Sequence, residues 1–233
     1  MQTSNTVLPN LSPRLSLLAS LVPKGAKVCD VGTDHGLLPA YLYLKGEVKS
    51  VCATDINAAP LERAQKAVAR YNAEGFRLVL CDGLEKITKD DADTVIIAGM
   101  GGEVISGIIE RCDFLNDSAV TLILQPMTGA DALRSHLAKS GFDILEEPCV
   151  CEHGKVWSVI KARFDGIVRD TDPLGLLIGR VSPETDAGRA YIKKQYERCL
   201  KCYQNLEAGR EKHIERAAYW RELTQKLKRI LED

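Results

Sequence analysis

Four residues early in the chain have the types and the spacing of a ligand-binding loop. Asp30, Gly32, Asp34 and Gly36 alternate from the end of the apolar stretch 26–31 onward. A dinucleotide loop carries glycines in the pattern G-x-G-x-x-G, because its backbone N–H groups must approach a pyrophosphate. Here an aspartate occupies the place of the middle glycine, and two carboxylates would repel a phosphate. The loop therefore indicates a ligand that is cationic where it meets these aspartates.

Further acidic residues and glycines follow the next apolar runs. Asp55 and Ile56 lie about 20 residues beyond the first loop, and Asp82-Gly83 follows a third run. Asp55 is placed to accept hydrogen bonds from two ribose hydroxyls, Ile56 to cover an adenine, and Asp82 to accept its amino group. S-adenosylmethionine suits this set, because it carries an ammonium and a sulfonium and no phosphate. The predicted cofactor-binding residues are Asp30, Gly32, Asp55, Ile56, Asp82, Gly83 and Gly99.

Each of these residues also has a simpler interpretation. Asp55 alone is a common helix cap, and Asp82-Gly83 is a common turn pair. The glycines of the first loop would also allow close packing of a helix on a strand. A phosphate-dependent dehydrogenase is the competing ligand-binding interpretation.

The elements that would hold these residues alternate along the chain. Short apolar runs alternating with amphipathic stretches predict a parallel sheet covered by helices on both faces. The predicted strands are 26–31, 48–54, 76–80, 94–98 and 120–124, and the predicted helices between them are 37–44, 60–74, 103–111 and 130–140. The stretches 142–151 and 156–164 predict a hairpin that closes the sheet with an antiparallel edge. The fold class is therefore α/β, with a seven-stranded and mostly parallel Rossmann-like sheet.

Helical patterns flank this sheet. A leading helix is predicted over 11–21, and a connector over 165–183. Apolar residues then recur at heptad spacing from Ile192 to Leu206 and, beyond Gly209, from Trp220 to Ile230. These seams predict an antiparallel helical hairpin. We expect two domains, 1–165 and 166–233.

The composition restricts the class of protein. The chain has 233 residues, of which 45% are hydrophobic, and no apolar run long enough to cross a membrane. No secretory signal is evident, and the eight cysteines do not form a zinc-ligand pattern, so we expect a reduced, cytoplasmic protein without a metal. Residues 183–233 hold 12 Lys+Arg against 9 Asp+Glu, whereas the remainder is acidic. A basic tail is consistent with an anionic partner.

Five short stretches together resemble the bacterial tRNA adenine-22 N1-methyltransferases. They read L-S-P-R-L at 11–15, D-V-G-T-D-H-G-L-L-P at 30–39, T-D-I-N at 54–57, A-G-M-G-G at 98–102 and Q-P-M at 125–127. The resemblance implies a class I methyltransferase fold, a C-terminal coiled coil and S-adenosyl-L-methionine as methyl donor. It also implies N1 of an adenine in the D-loop region of tRNA as acceptor. The chain has glycine at position 36, where this family more often has alanine.

Three residues are the candidates for catalysis: Asp34, His35 and Gln125. Adenine N1 presents a lone pair and carries no proton, so methyl transfer needs alignment and a nearby negative charge. We expect Asp34 to lie near the acceptor base, unless it only caps the loop. His35 would bond the base or fix the loop, and Gln125 would contact the base edge.

The remaining candidates would bind RNA. N1 lies on the pairing edge, so the target base must be flipped out of its stack. Gly101 and Gly102 would let a flat base approach the backbone, or they form a tight turn before a helix. Phosphates would be bound by cations on the leading helix and the tail. These cations are Arg14, Lys193, Lys194 and Arg198.

Two alternative functions remain open from the sequence. One is a methyltransferase that acts on a small molecule or a protein and uses its helical tail for dimerisation. The other is a non-catalytic RNA-binding adapter with the same fold. For the tRNA enzyme we expect a monomer or a weak dimer.

Overall fold

The structure, a computed structural model, describes residues 7–71, 73, 75–207 and 214–232. The main sheet of these residues has seven strands, which in chain order are β1 (Lys27–Val31), β2 (Ser50–Asp55), β3 (Arg77–Leu80), β4 (Thr94–Gly101), β5 (Thr121–Thr128), β6 (Phe142–Glu146) and β9 (Ile160–Phe164). Two further strands, β7 (Cys149–Glu152) and β8 (Lys155–Ser158), form a separate hairpin. The spatial order of the main sheet is β3-β2-β1-β4-β5-β9-β6. Strands β1 to β5 are parallel to one another. The strand order reverses between β1 and β4, which opens a crevice at their carboxyl ends.

The prediction of one long hairpin after residue 142 was wrong in its detail. Each predicted strand is broken in two, and β9 inserts antiparallel between β5 and β6, so the edge strand is not the antiparallel one. The break falls at Glu147-Pro148, where proline has no N–H for a ladder. The Pro148 carbonyl instead accepts a hydrogen bond from Val159 N at 2.9 Å. The four residues after this break can therefore leave the sheet and turn toward the C-terminal helices.

Helices cover both faces of the sheet. They are α1 (Pro13–Ser20), α2 (Leu37–Lys45), α3 (Ala58–Tyr71), α4 (Gly102–Glu110) and α5 (Ala130–Lys139). Two apolar clusters result: one holds Ile105, Leu133 and Phe142, and the other holds Leu18 and Leu38. Within the described residues, no helix is both long and apolar enough to cross a membrane.

The C-terminal region consists of three helices, α6 (Pro173–Ile178), α7 (Asp186–Glu207) and α8 (Ile214–Glu232). Helix α6 lies within the predicted connector. Its start is marked in the sequence by Asp172 followed by proline: the Asp172 carboxylate caps the helix by accepting a hydrogen bond from Leu174 N at 2.8 Å. Helices α7 and α8 are antiparallel, because Arg189 near the start of α7 donates to Leu231 O near the end of α8, at 2.6 Å. Gly209, predicted to separate the two seams, lies outside the described residues.

The seams of α7 and α8 pack on each other and on the β7–β8 hairpin. Ile192, Cys199, Leu223 and Leu227 form one buried cluster together with Val156 of β8. The tail therefore shares its core with the β7–β8 hairpin. A domain division near residue 165 stays a prediction.

A buried arginine joins the sheet-covering helices to this tail. Arg134 of α5 pairs with Glu147, with Nη2 and Oε1 2.5 Å apart, and both side chains are almost fully buried. The guanidinium also donates to Leu176 O and Leu177 O at the end of α6, at 2.6 and 3.0 Å, and to the Tyr191 hydroxyl of α7, at 2.8 Å. Burial alone would lower the pKa of Arg134, but the charge of Glu147 and the Tyr191 hydroxyl outweigh it and raise the pKa. The cation therefore stays charged, with all of its donor groups bonded.

We predict that Glu147→Gln destabilises the fold by about 3–5 kcal/mol, because it leaves the buried Arg134 cation without its counter-charge. Urea unfolding followed by circular dichroism measures this change. The neighbouring Glu146→Gln is the matched control, since Glu146 meets Lys161 at the surface, at 2.9 Å, and its loss should cost less than about 1 kcal/mol. Equal effects of the two substitutions would contradict the role given to Arg134.

Candidate active site

A cavity of about 540 Å³ opens at the carboxyl ends of β1, β2 and β4. Six of the seven predicted cofactor-binding residues line it: Gly32, Asp55, Ile56, Asp82, Gly83 and Gly99. Asp55 is buried, and its Oδ1 accepts a hydrogen bond from Asn57 N at 3.0 Å. Asp55 thus caps the turn into α3 with one oxygen while it lines the cavity. Ile56 is exposed, so its side chain is available to cover a flat ligand.

Asp30, the seventh predicted residue, lies in a neighbouring cavity of about 360 Å³ that shares Gly32, Ala98 and Gly99 with the first. It is one of the most buried carboxyls of the site, 5% exposed. Burial, reinforced by the charge of Asp55, raises the pKa of Asp30 to about 6. A cation bound in this region would offset the free-energy cost of the buried negative charge. The carboxylate is therefore suited to a cationic group of a ligand.

Glycine is required at two positions of the first loop. Gly32 has φ +74°, and a Cβ there would lie 2.3 Å from the Met100 methyl carbon. Gly36 has φ +65°, and a Cβ there would lie 2.7 Å from Ala64 Cβ on α3. The expectation that Gly36 concerns packing agrees with this close approach of α3. Gly32 keeps the boundary of the two cavities open.

Asp34 and His35 lie on the wall of the smaller cavity and are both largely exposed. Asp34 has a left-handed backbone, with φ +48°, which is uncommon outside glycine and is tolerated best by Asp and Asn. Its Oδ1 accepts from Arg63 Nη2 of α3 at 2.7 Å, and its Oδ2 lies 3.5 Å from His35 Nε2. The loop thus presents a carboxylate at the cavity wall and fixes its orientation.

Gln125 does not have the place predicted for it. The side chain is fully buried, and its Oε1 accepts from Arg14 Nη1 at 2.9 Å and from Gly99 N at 3.2 Å. Its Nε2 donates to Pro126 O at 3.0 Å. The amide is therefore engaged at both ends within the protein, where Gln125 positions Arg14 and Gly99.

Arg14 also differs from the expectation of a surface phosphate contact. Its guanidinium lines the smaller cavity and pairs with Glu152 of β7, with Nε and Oε2 3.6 Å apart. Arg14 therefore lies in the same cavity as Asp30, Asp34 and His35. The sequence lacked the signal for this, since Glu152 lies 138 residues away.

Gly101 and Gly102 do not line either of these two cavities. A Cβ on Gly102 would lie 2.2 Å from Gly129 O, so the absent side chain lets α4 pack against the loop before α5. Gly101 is the residue before the first turn of α4. The tight-turn interpretation accounts for both glycines.

The tail cations are on two sides of α7. Lys194 and Arg198 line a separate cavity beside the loop after β5, whereas Lys193 is exposed and does not line that cavity. Sequence reasoning missed a second basic group beside the Asp34 loop, formed by Arg63, Lys66 and Arg70 on α3. Their i, i+3, i+7 spacing was visible in the sequence and marks one helix face. No cluster of three or more potential metal ligands occurs in the described part of the chain.

Comparison with known proteins agrees with this geometry. A family model described as a methyltransferase domain matches residues 11–160. The tRNA (adenine(22)-N(1))-methyltransferase of Bacillus subtilis (strain 168) is 34% identical over 177 residues, which cover 72% of this chain and 73% of the relative. The chain belongs to the tRNA (adenine-22-N1)-methyltransferase family. The resemblance stated from the sequence motifs is thereby confirmed.

Solved structures extend the similarity of this methyltransferase to the tail. The B. subtilis m1A22 tRNA methyltransferase superposes with a TM-score of 0.80 at 28% identity, covering 96% of this chain and 99% of that one. A Streptococcus pneumoniae protein in complex with S-adenosyl-L-methionine superposes with a TM-score of 0.77 at 29% identity, covering 95% and 100%. Such coverage includes the C-terminal helices, so the predicted fold class is confirmed.

We predict that Asp30→Asn stabilises the ligand-free methyltransferase at pH 8, by up to about 3 kcal/mol. The folded pKa of about 6 lies above the usual value of 3.8, so ionised Asp30 costs stability above pH 6. This cost disappears as the pH falls from about 6 to about 4, and the asparagine carries no charge at any pH. Urea unfolding of both proteins at pH 8 and pH 4 measures the difference.

The exposed Asp170→Asn is the control, and it should change the free energy of unfolding by less than about 0.5 kcal/mol. A pH-independent difference between wild type and Asp30→Asn would contradict the raised pKa of Asp30.

Proposed function

We propose that this protein transfers a methyl group from S-adenosyl-L-methionine to N1 of adenine 22 in tRNA. The observation that carries the proposal is the pair of adjoining cavities at the carboxyl ends of β1 and β4, which share Gly32 and Gly99. One cavity suits the donor and the other suits the acceptor base. The substrate follows from the similarity to the B. subtilis tRNA (adenine(22)-N(1))-methyltransferase.

The residues of the larger cavity fit the cofactor. S-adenosyl-L-methionine supplies an electrophilic methyl group on a sulfonium, together with an ammonium, a ribose and an adenine. We infer that Asp55 binds the ribose hydroxyls, Ile56 covers the adenine and Asp82 accepts its amino group. Asp30 lies in the adjoining smaller cavity, beside the shared Gly32 and Gly99, where its negative charge would offset the positive charge of the methionine portion of the ligand. The Streptococcus pneumoniae relative that contains this cofactor supports the assignment.

The chain's own residues then supply alignment and charge. Adenine N1 attacks through its lone pair, so the protein needs no base to activate it. The Asp34 carboxylate, held by Arg63 at 2.7 Å, lies on the wall of the acceptor cavity and stabilises the positive charge that develops on the adenine ring. His35 Nε2 lies 3.5 Å from the other Asp34 oxygen. Gln125 fixes Arg14 and Gly99 and so acts as a positioning residue.

The basic residues of α3 and α7 lie beside the two cavities and suit the tRNA backbone. Lys193, Lys194 and Arg198 are exposed on α7, and Arg63, Lys66 and Arg70 line a basic cavity next to His35. Because tRNA is an intracellular molecule, we propose a cytoplasmic location. The seams of α7 and α8 are paired within one chain, which favours a monomer and argues against a tail built for dimerisation.

The proposal is tested by incubating the protein with unmodified tRNA and S-adenosyl-L-methionine and then mapping the product by mass spectrometry. We expect N1-methyladenosine at position 22, and no incorporation into a tRNA with guanine at that position. Methylation of another nucleotide, or of none, would refute the assigned substrate. A truncated protein would not be a clean control, since removing α7 removes Tyr191 from the buried Arg134.

We predict that Asp34→Asn lowers kcat on the order of 100-fold, because the developing positive charge loses its nearest carboxylate. The affinity for tRNA and for the cofactor should change little, since Asp34 is exposed and outside the larger cavity. Single-turnover kinetics with saturating cofactor measure the effect, with Asp170→Asn as a control of equal charge change. Unchanged turnover in Asp34→Asn would remove the residue from the mechanism.

A further inference from the structure

A third cavity, of about 440 Å³, lies where the tail meets the catalytic half of the chain. Its walls come from the loop after β5, from β8 and from one face of α7. Met127 lines both this cavity and the acceptor cavity that contains Asp34, so the two are direct neighbours. We name this space the junction cavity; it is lined by Asp131, Trp157, Lys194, Gln195 and Arg198, among others.

Gln195 is a buried polar residue without an evident structural bond. The residue is only 7% exposed, and its Oε1 has no donor within hydrogen-bonding distance among the described residues. Buried amides in folded proteins are nearly always hydrogen-bonded, because an unmade bond costs the full desolvation of the group. This oxygen is itself closed to solvent, so a ligand can bond it only when the Gln195 side chain rotates into the cavity that the residue lines. Its carboxamide offers one acceptor and one donor group, which suits the polar edge of a nucleobase or a ribose hydroxyl.

The other walls have the chemistry of a nucleotide site. Trp157 is half-buried, and Lys194 Nζ lies 5.6 Å from the centre of its ring. Arg198 meets Asp131 at 3.2 Å in an ion pair that is about half exposed on the arginine side. Such an exposed pair contributes little, so the guanidinium can exchange the carboxylate for a phosphate. An aromatic face, two cations and a buried amide therefore converge on one space.

We propose that the junction cavity binds one nucleotide of the tRNA next to the adenosine that is methylated. Its base packs against Trp157 and bonds Gln195, and its phosphate is bound by Lys194 and Arg198. The inference rests on the proposed function, because it takes the same tRNA as ligand. A volume of 440 Å³ is within the roughly 300–1,000 Å³ typical of small-ligand sites. Occupation of this site beside Met127 holds the flipped adenosine in register with the acceptor cavity.

The site has a built-in spectroscopic probe. The chain contains two tryptophans, Trp157 and Trp220, so Trp220→Phe leaves Trp157 as the single indole fluorophore. Unmodified tRNA should quench the emission of this variant, with a midpoint equal to the Kd for tRNA measured by filter binding. Emission that stays unchanged at saturating tRNA would overturn the proposal.

Two substitutions test how much Trp157 and Gln195 contribute to the binding of tRNA. Trp157→Ala should raise the Kd for tRNA about 5- to 100-fold, the range expected for the loss of one stacked base. Gln195→Leu should raise it in the same direction while increasing thermal stability, because a buried amide without a protein partner is replaced by an apolar side chain of similar size. Binding of S-adenosyl-L-methionine should be unchanged in both. The exposed Tyr219→Ala and Gln204→Leu are matched controls on the tail and should leave the Kd for tRNA unchanged.

The outcomes separate this inference from the proposed function. Wild-type affinity for tRNA in a folded Gln195→Leu, with adenine 22 still methylated, would reject the junction site and leave the enzyme activity intact. Absence of methylation by the wild-type protein would reject the function itself. If Trp157→Ala does not fold, the quenching of Trp157 in the Trp220→Phe protein decides the question.

Discussion

The arrangement of this protein depends on one buried ion pair. Arg134 and Glu147 lie between α5, the end of α6 and the first turns of α7. The guanidinium donates there to five acceptor atoms on four residues. A pair so buried gains little net stability over an apolar contact, but either partner alone would be an uncompensated charge. This dependence makes the orientation of the tail specific: α7 is held where Tyr191 reaches Arg134. Lys194, Gln195 and Arg198, one and two turns further along the same face, then meet the loop after β5.

The charges of the site follow from its two ligands. Asp30, Asp34, Asp55 and Asp82 lie at or near the carboxyl ends of β1, β2 and β3, where the proposed donor brings positive charge. Arg14 lines the smaller cavity and Arg111 lies 3.4 Å from Asp82, whereas two further groups of cations lie on α3 and α7, where a polyanion would approach. Arg63 connects the two regions, because it belongs to the basic face of α3 and pairs with Asp34. The basic faces of α3 and α7 and the carboxylates at the strand ends would let one protein bind an anionic acceptor and a cationic donor at adjoining places.

Local sequence patterns predicted the central sheet, and six of the seven predicted cofactor-binding residues line one cavity. The glycines and aspartates of the site lie within a few residues of a strand end, so the local sequence is enough to find them. Parallel strands have their carboxyl ends at the same edge of the sheet, which is why Gly32, Asp55 and Asp82 line one cavity. Long-range pairing was not visible. Gln125 was predicted to contact the base because nothing local shows that Arg14, 111 residues away, occupies its amide oxygen. The break at Glu147-Pro148 did have a local signal, because proline has no N–H for a ladder, but the contact of Glu147 with Arg134 had none.

The most direct test of this account is a structure of the protein bound to S-adenosylhomocysteine and unmodified tRNA. We predict the adenosine of the cofactor product between Asp55, Ile56 and Asp82, and the flipped adenine 22 beside Asp34 with its N1 directed at the sulfur. The adjoining nucleotide should lie against Trp157 in the junction cavity. A tRNA that contacts the tail while adenine 22 stays outside the cavity walled by Asp34 would contradict the account.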